Sequence, residues 1–254
     1  MNPLLSEKGL FSHLVNQRCF RMSELPNAPE YTVLKKYFHE IAKKFCPFME
    51  PSSKKELLHF SHYVIEPRIM SQEYVFYISL VHTELLRKQR RETGTGVVSL
   101  SCDNVIFSAQ DGFIDGCSLV EWPHWILKLM YTDCGLAIGK FWEGQSQVSR
   151  FGEVIPQPPC NFLSLRCKMQ NLDRRFFETK ANFLLPAHDD ASDTGQSVLS
   201  KIIPKEHEYI INMLNDLDYD NASFSEISHI CEKMEEVELY KDALRWAHSC
   251  GNLF

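Results

Sequence analysis

The sequence lacks long uncharged apolar runs, paired cysteines and the glycine-rich loops that mark several large protein classes. No stretch of about 18 uncharged apolar residues is present, so no membrane-spanning helix is expected. No two of the nine cysteines read C-x-x-C, which excludes a zinc ribbon and a thioredoxin motif. The signatures G-x-x-x-x-G-K-[ST], G-x-G-x-x-G, G-x-S-x-G and H-E-x-x-H are also absent, which argues against P-loop and α/β-hydrolase chemistry.

The body of the chain has no excess charge, because the net charge of −6 is concentrated near the C-terminus. Residues 205–254 carry eleven Asp and Glu against four Lys and Arg. No nucleic-acid partner is expected, since duplex binding needs many cations to neutralise phosphates. The basic run Arg87 to Arg91 fits the solvated end of a helix, where cations suit the helix dipole, or else a phosphate or anionic-lipid contact.

The N-terminal residues contain no apolar core that would serve as a secretory signal, because Glu7, Lys8 and Arg18 interrupt them. Together with nine irregularly spaced cysteines, this predicts reduced thiols in a cytoplasmic protein. Delivery into another cell by a non-classical route stays open as an alternative, because such signals need not be N-terminal or apolar.

The composition is that of an ordinary globular protein, with 44% apolar and 24% charged residues. The order of the predicted elements indicates an α+β fold, in which helices pack a mixed sheet of four to six strands and an acidic all-helical region caps the C-terminus. We expect an N-terminal arm over 1–29, an α+β body over 30–186, a linker over 187–204 and the acidic helical region over 205–254.

Hydrophobic periodicity predicts the individual elements. Helices are expected over 30–46, 71–91, 119–130, 173–183, 205–217, 225–237 and 238–249. Strands are expected over 57–65, 97–108, 136–142 and 160–169. The dipeptide Asp103-Asn104 is a candidate turn that would make a hairpin of the second strand, and residues 144–159 are interpreted as a loop.

Cys134 is a candidate nucleophile, because it lies between Asp133 and Gly135 at the start of a predicted strand. A cysteine nucleophile needs a neighbouring histidine, and His124 precedes it on the predicted helix. The alternative is a buried apolar cysteine, which is the commoner fate of this residue type.

Arg166 interrupts an otherwise apolar strand, next to Cys167. A buried cation needs a partner, so Arg166 is a candidate for binding a small carboxylate-bearing molecule. The alternative is an edge strand on which Arg166 is solvated. Trp122, Trp125 and Phe141 lie close together in sequence and predict either core packing or the lining of a flat cofactor or ligand site.

Cys46, His59 and His62 are candidate metal ligands, because two imidazoles and a thiol can bind zinc or iron. On a strand, His59 and His62 would point to opposite faces, which argues against a joint site. The alternative is that one imidazole is half-buried and the other is solvated.

Four segments carry a family resemblance in their order and spacing. They are Phe45-Cys46-Pro47-Phe48, Val105-Ile106-Phe107, Gly135 to Phe141, and Leu165 to Met169 followed by Asp173 and Phe176-Phe177. Over residues 30–180 the chain resembles an uncharacterised bacterial family with a Cys-Pro-Phe segment, a GLxIGxF strand and an Ile-Arg-His-Met strand. This resemblance implies an accessory enzyme of small-molecule biosynthesis.

Through its Cys-Pro segment that family is distantly similar to the YqcI/YcgG family, which implies haem-dependent N-hydroxylation of amino-acid-like substrates. The resemblance implies that Arg166 holds a substrate carboxylate and that Cys46 lies at the cofactor. Cys167 stands where the family pattern has histidine. A ligand or base role of that histidine would therefore pass to a thiolate here or be lost.

Two hypotheses follow. The first is a cytoplasmic small-molecule-modifying enzyme, a haem- or metal-dependent oxygenase acting on an amino-acid-like substrate. The second is a non-catalytic binding or interaction protein that contacts a protein partner through the acidic region 205–254.

Overall fold

The computed structural model describes residues 15–65, 71–93, 100–109, 115–149, 151–168, 193 and 197–251. Within them lie the strands β1 (Val15–Cys19), β2 (Leu58–Ile65), β3 (Cys102–Ala109), β4 (Leu136–Phe141), β5 (Gln147–Val148), β6 (Val154–Ile155) and β7 (Asn161–Cys167). The α-helices are α1 (Pro29–Lys44), α2 (Met49–Lys54), α3 (Gln72–Thr93), α4 (Gly116–Tyr131), α5 (Tyr209–Asp216), α6 (Phe224–Glu236) and α7 (Leu239–Gly251).

Five strands form a mixed sheet in the order β1-β2-β3-β7-β4, and β5 pairs with β6 in a separate hairpin. β2 and β3 are parallel, because the long helix α3 connects them, and the other neighbours are antiparallel. The predicted α+β class is confirmed, as is the helical C-terminal region.

The side chains of the sheet divide between two apolar clusters, because successive residues of a strand point to opposite faces. The α1 face includes Leu58, Phe60 and Phe162, which pack against α1. The α3 face includes Tyr63 and Leu163, which pack with α3 and α4. The α1 face and the α3 face are therefore covered by different helices, and any site on the sheet belongs to one or the other.

Helices α5 to α7 all contact α3, and α7 also contacts α4. Their buried residues, among them Ile210, Ile227 and Ala243, belong to the same apolar cluster as the α3 face. Several acidic side chains of this region form local ion pairs at its surface: Glu236 with Lys233, Glu238 with Lys241, and Asp242 with Arg245. None of the helices in the described ranges is long and apolar enough to cross a membrane.

Local signals explain where several helices begin. The backbone of α3 starts after Ser71, whose hydroxyl accepts a hydrogen bond from the N–H of Tyr74 at 3.2 Å. Ser223 and Glu226 form a reciprocal capping box at the start of α6. Helix α4 begins at Gly116 under the Asp115 cap, rather than at the predicted residue 119, so Pro123 lies in its second turn.

Two local predictions are wrong, and one open alternative is decided. The segment 1–29, expected to be an arm, contributes the edge strand β1, which pairs antiparallel with β2. Asp103 and Asn104 lie inside β3 and are fully buried, so the single strand is confirmed over the alternative hairpin. The expected loop 144–159 contains the β5–β6 hairpin. The predicted helix 173–183 and half of the linker 187–204 lie outside the described residues.

Candidate functional site

A partly enclosed cavity of about 240 Å³ lies on the α1 face of the sheet, between α1, α2 and the strands β7 and β4. Aromatic side chains dominate its lining: Tyr37, Phe38, Phe45, Phe48, Phe141 and Phe162. The hairpin side closes it with Ile155, Pro156 and Pro158. Small-molecule sites are typically such apolar concavities with a few placed polar groups.

Side chains on one face of the paired strands β4 and β7 form one wall of this cavity. Gly139 and Phe141 on β4 face the same side as Phe162 and Arg166 on β7. The rings of Phe141 and Phe162 stack with their centroids 4.6 Å apart. A Cβ atom on Gly139 would come within 2.9 Å of the Phe141 ring, so the missing side chain gives this ring its place beside the cavity.

Arg166 is the one charged side chain among the described residues that line the cavity. It is half-buried, and its guanidinium carbon lies 4.5 Å from the centroid of the Phe48 ring. Its Nη1 donates a hydrogen bond to the carbonyl oxygen of Cys167 at 3.1 Å. The stacking on Phe48 and this bond hold a planar donor group at the cavity wall, in the form that recognises carboxylates in a bidentate manner.

Tyr37 contributes a phenol from α1 to the lining of the cavity. Its side chain is 7% exposed, and its ring packs edge-on against Phe162. Its hydroxyl is not one of the buried polar atoms that lack a partner in the described part of the chain. Burial raises the pKa of Tyr37 well above its usual value, so the phenol is neutral.

Two polar atoms border the cavity without a partner. The hydroxyl of Ser101 and the Oε1 of Gln145 are buried, and neither is hydrogen-bonded within the described part of the chain. By contrast, Ser164 lies 3.3 Å from the thiol of Cys102. The free-energy cost of burying these two polar groups is therefore not offset by a hydrogen bond within the described part of the chain.

The lining offers little for acid–base or thiolate chemistry. Among the described residues it contains neither a carboxylate nor an imidazole. Burial raises the pKa of the Cys102 thiol to about 12, so this residue is uncharged at neutral pH. The arrangement suits binding of an apolar molecule that carries an anionic group, since a general base is missing from the described lining.

The structure brings together four of the residues singled out from the sequence. Arg166, Cys46 and Phe141 line the cavity, and Cys167 borders it. The side chain of Cys167, however, belongs to the apolar cluster on the α3 face. Burial raises the pKa of the Cys167 thiol to about 11. Cys167 thus lies beside the cavity without presenting a thiolate to it.

The residues of α4 lie on the other face. Trp122 packs against His248 with ring centroids 4.6 Å apart, and Trp125 lies near Lys128, so neither tryptophan lines the cavity. The Nε2 of His124 is 3.0 Å from the carbonyl oxygen of Ile138, and burial lowers its pKa to about 3. The expected tryptophan lining of the site is therefore corrected to Phe48, Phe141 and Phe162.

Cys134 and His124 are not hydrogen-bonded to each other in the described structure. The environment of Cys134 contains Arg87, Asp193 and Glu84 instead, and burial raises its thiol pKa to about 11. A nucleophilic cysteine needs a lowered pKa and an adjacent base. The Cys134–His124 pair therefore has neither property of a catalytic dyad.

His59 and His62 point to opposite faces of β2, as strand geometry requires. His59 is hydrogen-bonded to the hydroxyl of Tyr219 on the α3 face. The Nδ1 of His62 lies 2.7 Å from the Tyr31 hydroxyl, and its Nε2 lies 2.8 Å from Ser108, on the α1 face. No group of three or more His, Cys, Asp or Glu in the described ranges could hold a metal ion. The structure thus does not join the two histidines in a site.

A charged cluster is buried on the α3 side, away from the cavity. Arg87 donates to both carboxylate oxygens of Asp193, at 2.8 and 2.9 Å, and lies 3.3 Å from Glu84. The other oxygen of Glu84 accepts a hydrogen bond from Tyr131 at 2.5 Å. Desolvation raises the pKa of Glu84 in spite of the neighbouring cation. This cluster ties residue 193 of the expected linker to α3.

Sequence reasoning missed Tyr37, Phe48, Ser101 and Gln145 as lining residues. Tyr37 lies on the apolar face of a predicted helix, where its spacing is that of a core residue. Phe48 was named from the sequence only as part of the Cys-Pro-Phe segment that carries the family resemblance. For comparison with known proteins, no family model, curated protein or solved structure matches the chain.

Proposed function

We propose that this protein binds a compact, largely apolar small molecule that carries one anionic group, in the cavity on the α1 face. The observation that carries the proposal is the partly enclosed aromatic cavity with Arg166 held at its wall by stacking on Phe48. The planar donors of an arginine at such a wall suit a carboxylate.

The volume limits the size of the ligand. A cavity of about 240 Å³ accommodates roughly ten non-hydrogen atoms, since one of ~150 Å³ takes benzene. A haem is several times larger than benzene and needs an axial protein ligand, which the buried neutral thiol of Cys167 does not offer. The described residues do not fit a haem, so no step of a haem oxygenase is derived for this chain.

The segments that carry the family resemblance support the same location. Residues 45–48 contribute Cys46 and Phe48 to the lining, residues 135–141 contribute Gly139 and Phe141, and residues 165–169 contribute Arg166. These segments are far apart in sequence. Their convergence on one cavity supports a common role in ligand binding.

The proposal is tested by titration calorimetry with phenylacetate and its neutral isostere phenylacetamide. We expect the wild-type protein to bind phenylacetate at least tenfold more tightly, because hydrogen bonds to charged groups stabilise by about 1.5–3 kcal/mol. Arg166→Met should remove this preference. The matched control Arg245→Met, which changes an exposed arginine on α7, should keep it.

Equal binding of the two probes by the wild-type protein would overturn the proposal, as would the same loss in both variants. An absorption spectrum with metal analysis, on protein from cells supplied with haem precursor and iron, tests the cofactor separately. We expect no Soret band, and a stoichiometric Soret band that shifts in Cys167→Ala would refute our account of the cavity.

A further inference from the structure

We infer that the ligand of this cavity is bifunctional: besides its anionic group it carries an N–H or O–H donor that meets the side-chain oxygen of Gln145. The inference rests on the proposed function and specifies the substrate class of the same cavity. That class is small apolar carboxylates with an amino or hydroxyl group at the end remote from the carboxylate.

The first observation is the state of the Gln145 side chain. Gln145 lines the cavity, and its Oε1 is buried and accepts no hydrogen bond from the described part of the chain. A buried acceptor without a partner costs free energy, and a ligand donor that pairs with it recovers that cost. Because an amide oxygen only accepts hydrogen bonds, the group that meets it must be a donor.

The second observation is that Gln145 belongs to a surface turn. Its neighbours Gly144 and Ser146 are exposed, yet Gln145 itself is only 6% exposed. Glutamine is mostly solvent-exposed in folded proteins, and burying its amide without a partner opposes folding. A turn glutamine that is buried at a cavity against this tendency points to a ligand that completes its hydrogen bonding.

Backbone hydrogen bonds hold this turn. The N–H of Gln145 donates to the carbonyl oxygen of Trp142 at 3.1 Å, and the N–H of Gly144 donates to the carbonyl oxygen of Pro158 at 3.3 Å. Gly144 has a φ of 75°, in the left-handed region that glycine adopts without strain. The turn therefore positions Gln145 before a ligand arrives, which lowers the ordering cost of binding.

The register of β4 and β7 places Gln145 and Arg166 toward different ends of this wall. Arg166 pairs with Ala137, whereas Phe162 pairs with Phe141, the last residue of β4 before the turn. The two pairs are four residues, or about 13 Å, apart along β7. We therefore expect the donor of the ligand at the end remote from its carboxylate, with the apolar body between them.

The experiment compares two pairs of carboxylates by titration calorimetry. The pairs are 4-hydroxyphenylacetate with 4-methylphenylacetate, and 3-(4-hydroxyphenyl)propionate with 3-(4-methylphenyl)propionate. In each pair the methyl group fills a volume similar to that of the hydroxyl but cannot donate. We expect the wild-type protein to bind the hydroxyl compound roughly five- to tenfold more tightly in at least one pair, as one hydrogen bond to a buried acceptor supplies. Gln145→Met should abolish this preference and leave phenylacetate affinity within about twofold.

The matched control is Gln157→Met, which changes an exposed glutamine outside the cavity lining and should retain the preference. Equal binding within both pairs by the wild-type protein, or a hydroxyl preference that survives in Gln145→Met, would overturn this inference. Tighter binding of phenylacetate than of phenylacetamide would then still leave the proposed function standing. No binding of any of these carboxylates would overturn both.

Discussion

Replacing Arg87 with methionine should destabilise the protein far more than the loss of a surface arginine. The guanidinium is 3% exposed and lies between Asp193 and Glu84, which are 6% and 9% exposed. Methionine retains much of the apolar volume of the stem, so little of the effect comes from a cavity. What changes is that two buried carboxylates lose their cation.

Removing one partner of a buried ion pair costs about 3–5 kcal/mol, because the remaining charge is left desolvated. For a chain of this size the melting temperature should fall by roughly 10 °C. The assay is urea unfolding at pH 7, followed by far-UV circular dichroism and by tryptophan fluorescence. Coincident transitions would justify a single free energy of unfolding.

The loss in free energy of unfolding of Arg87→Met should depend on pH, and the direction of this dependence follows from the pKa of Glu84. Burial already raises the pKa of this carboxyl above its unfolded value, and removing Arg87 raises it further. A carboxyl with a raised folded-state pKa destabilises the fold most when the pH lies above that pKa. The penalty falls as the pH drops from the folded-state pKa to the unfolded-state value and is absent below the latter, so the difference between variant and wild type should shrink with falling pH.

Two controls accompany the variant. Arg245→Met removes an exposed cation with an i,i+3 ion pair and should change the free energy of unfolding by less than about 0.5 kcal/mol. Adding Glu84→Gln and Asp193→Asn to Arg87→Met removes the stranded charges and should recover at least half of the loss. A loss below about 1 kcal/mol at pH 7, or one that stays constant down to pH 5, would refute this account.

Three other predictions concern the cavity and the two sides of the sheet. Burial lowers the pKa of His62 to about 4, so the unfolded state takes up a proton first as the pH falls below ~6.5. His62→Gln should therefore reduce the decline in the free energy of unfolding, measured with urea between about pH 6.5 and 4, by on the order of 2 kcal/mol. An unchanged decline would contradict this. Deleting residues 205–254 should abolish soluble expression, because it uncovers the apolar surface of α3 and α4; a soluble, cooperatively folding fragment would instead favour a separable interaction region. Gly139→Ala places a Cβ atom 2.9 Å from the Phe141 ring. Phenylacetate affinity should therefore fall at least fivefold, while the free energy of unfolding drops by only about 1 kcal/mol. An unaltered affinity in calorimetry would exclude Gly139 from the binding surface.

Local sequence signals predicted the long elements well. Ser71 as a cap and the apolar run after it predicted α3, and the β-rich segment before Pro67 predicted β2. The strand β1 was missed, because Val15 to Cys19 contains three polar residues in a row and gains its structure from pairing with β2. Tertiary pairing of this kind leaves no trace in a local window.

The errors at the site have a similar origin. Asp103 suggested a turn, since Asp-Asn is a common turn dipeptide, but in the fold its carboxylate lies 2.9 Å from Nδ1 of the buried His82. The Asp103 pKa is lowered by that imidazole against the opposing effect of burial. Arg166 was identified because a cation in an apolar strand is conspicuous, whereas Tyr37 has the helical spacing of any core aromatic on α1.

Helices α5 to α7 are synthesised long after α3 and α4, the helices that they cover, and this delay affects folding. The apolar outer side of α3 and α4 is complete at residue 131, but the helices that cover it end at residue 251. At a translation rate of about 5–20 residues per second, roughly 6 to 24 seconds separate the two events. During that interval the nascent chain presents an uncovered helical surface, and the α3 face acquires its final packing only after residue 251 has been synthesised.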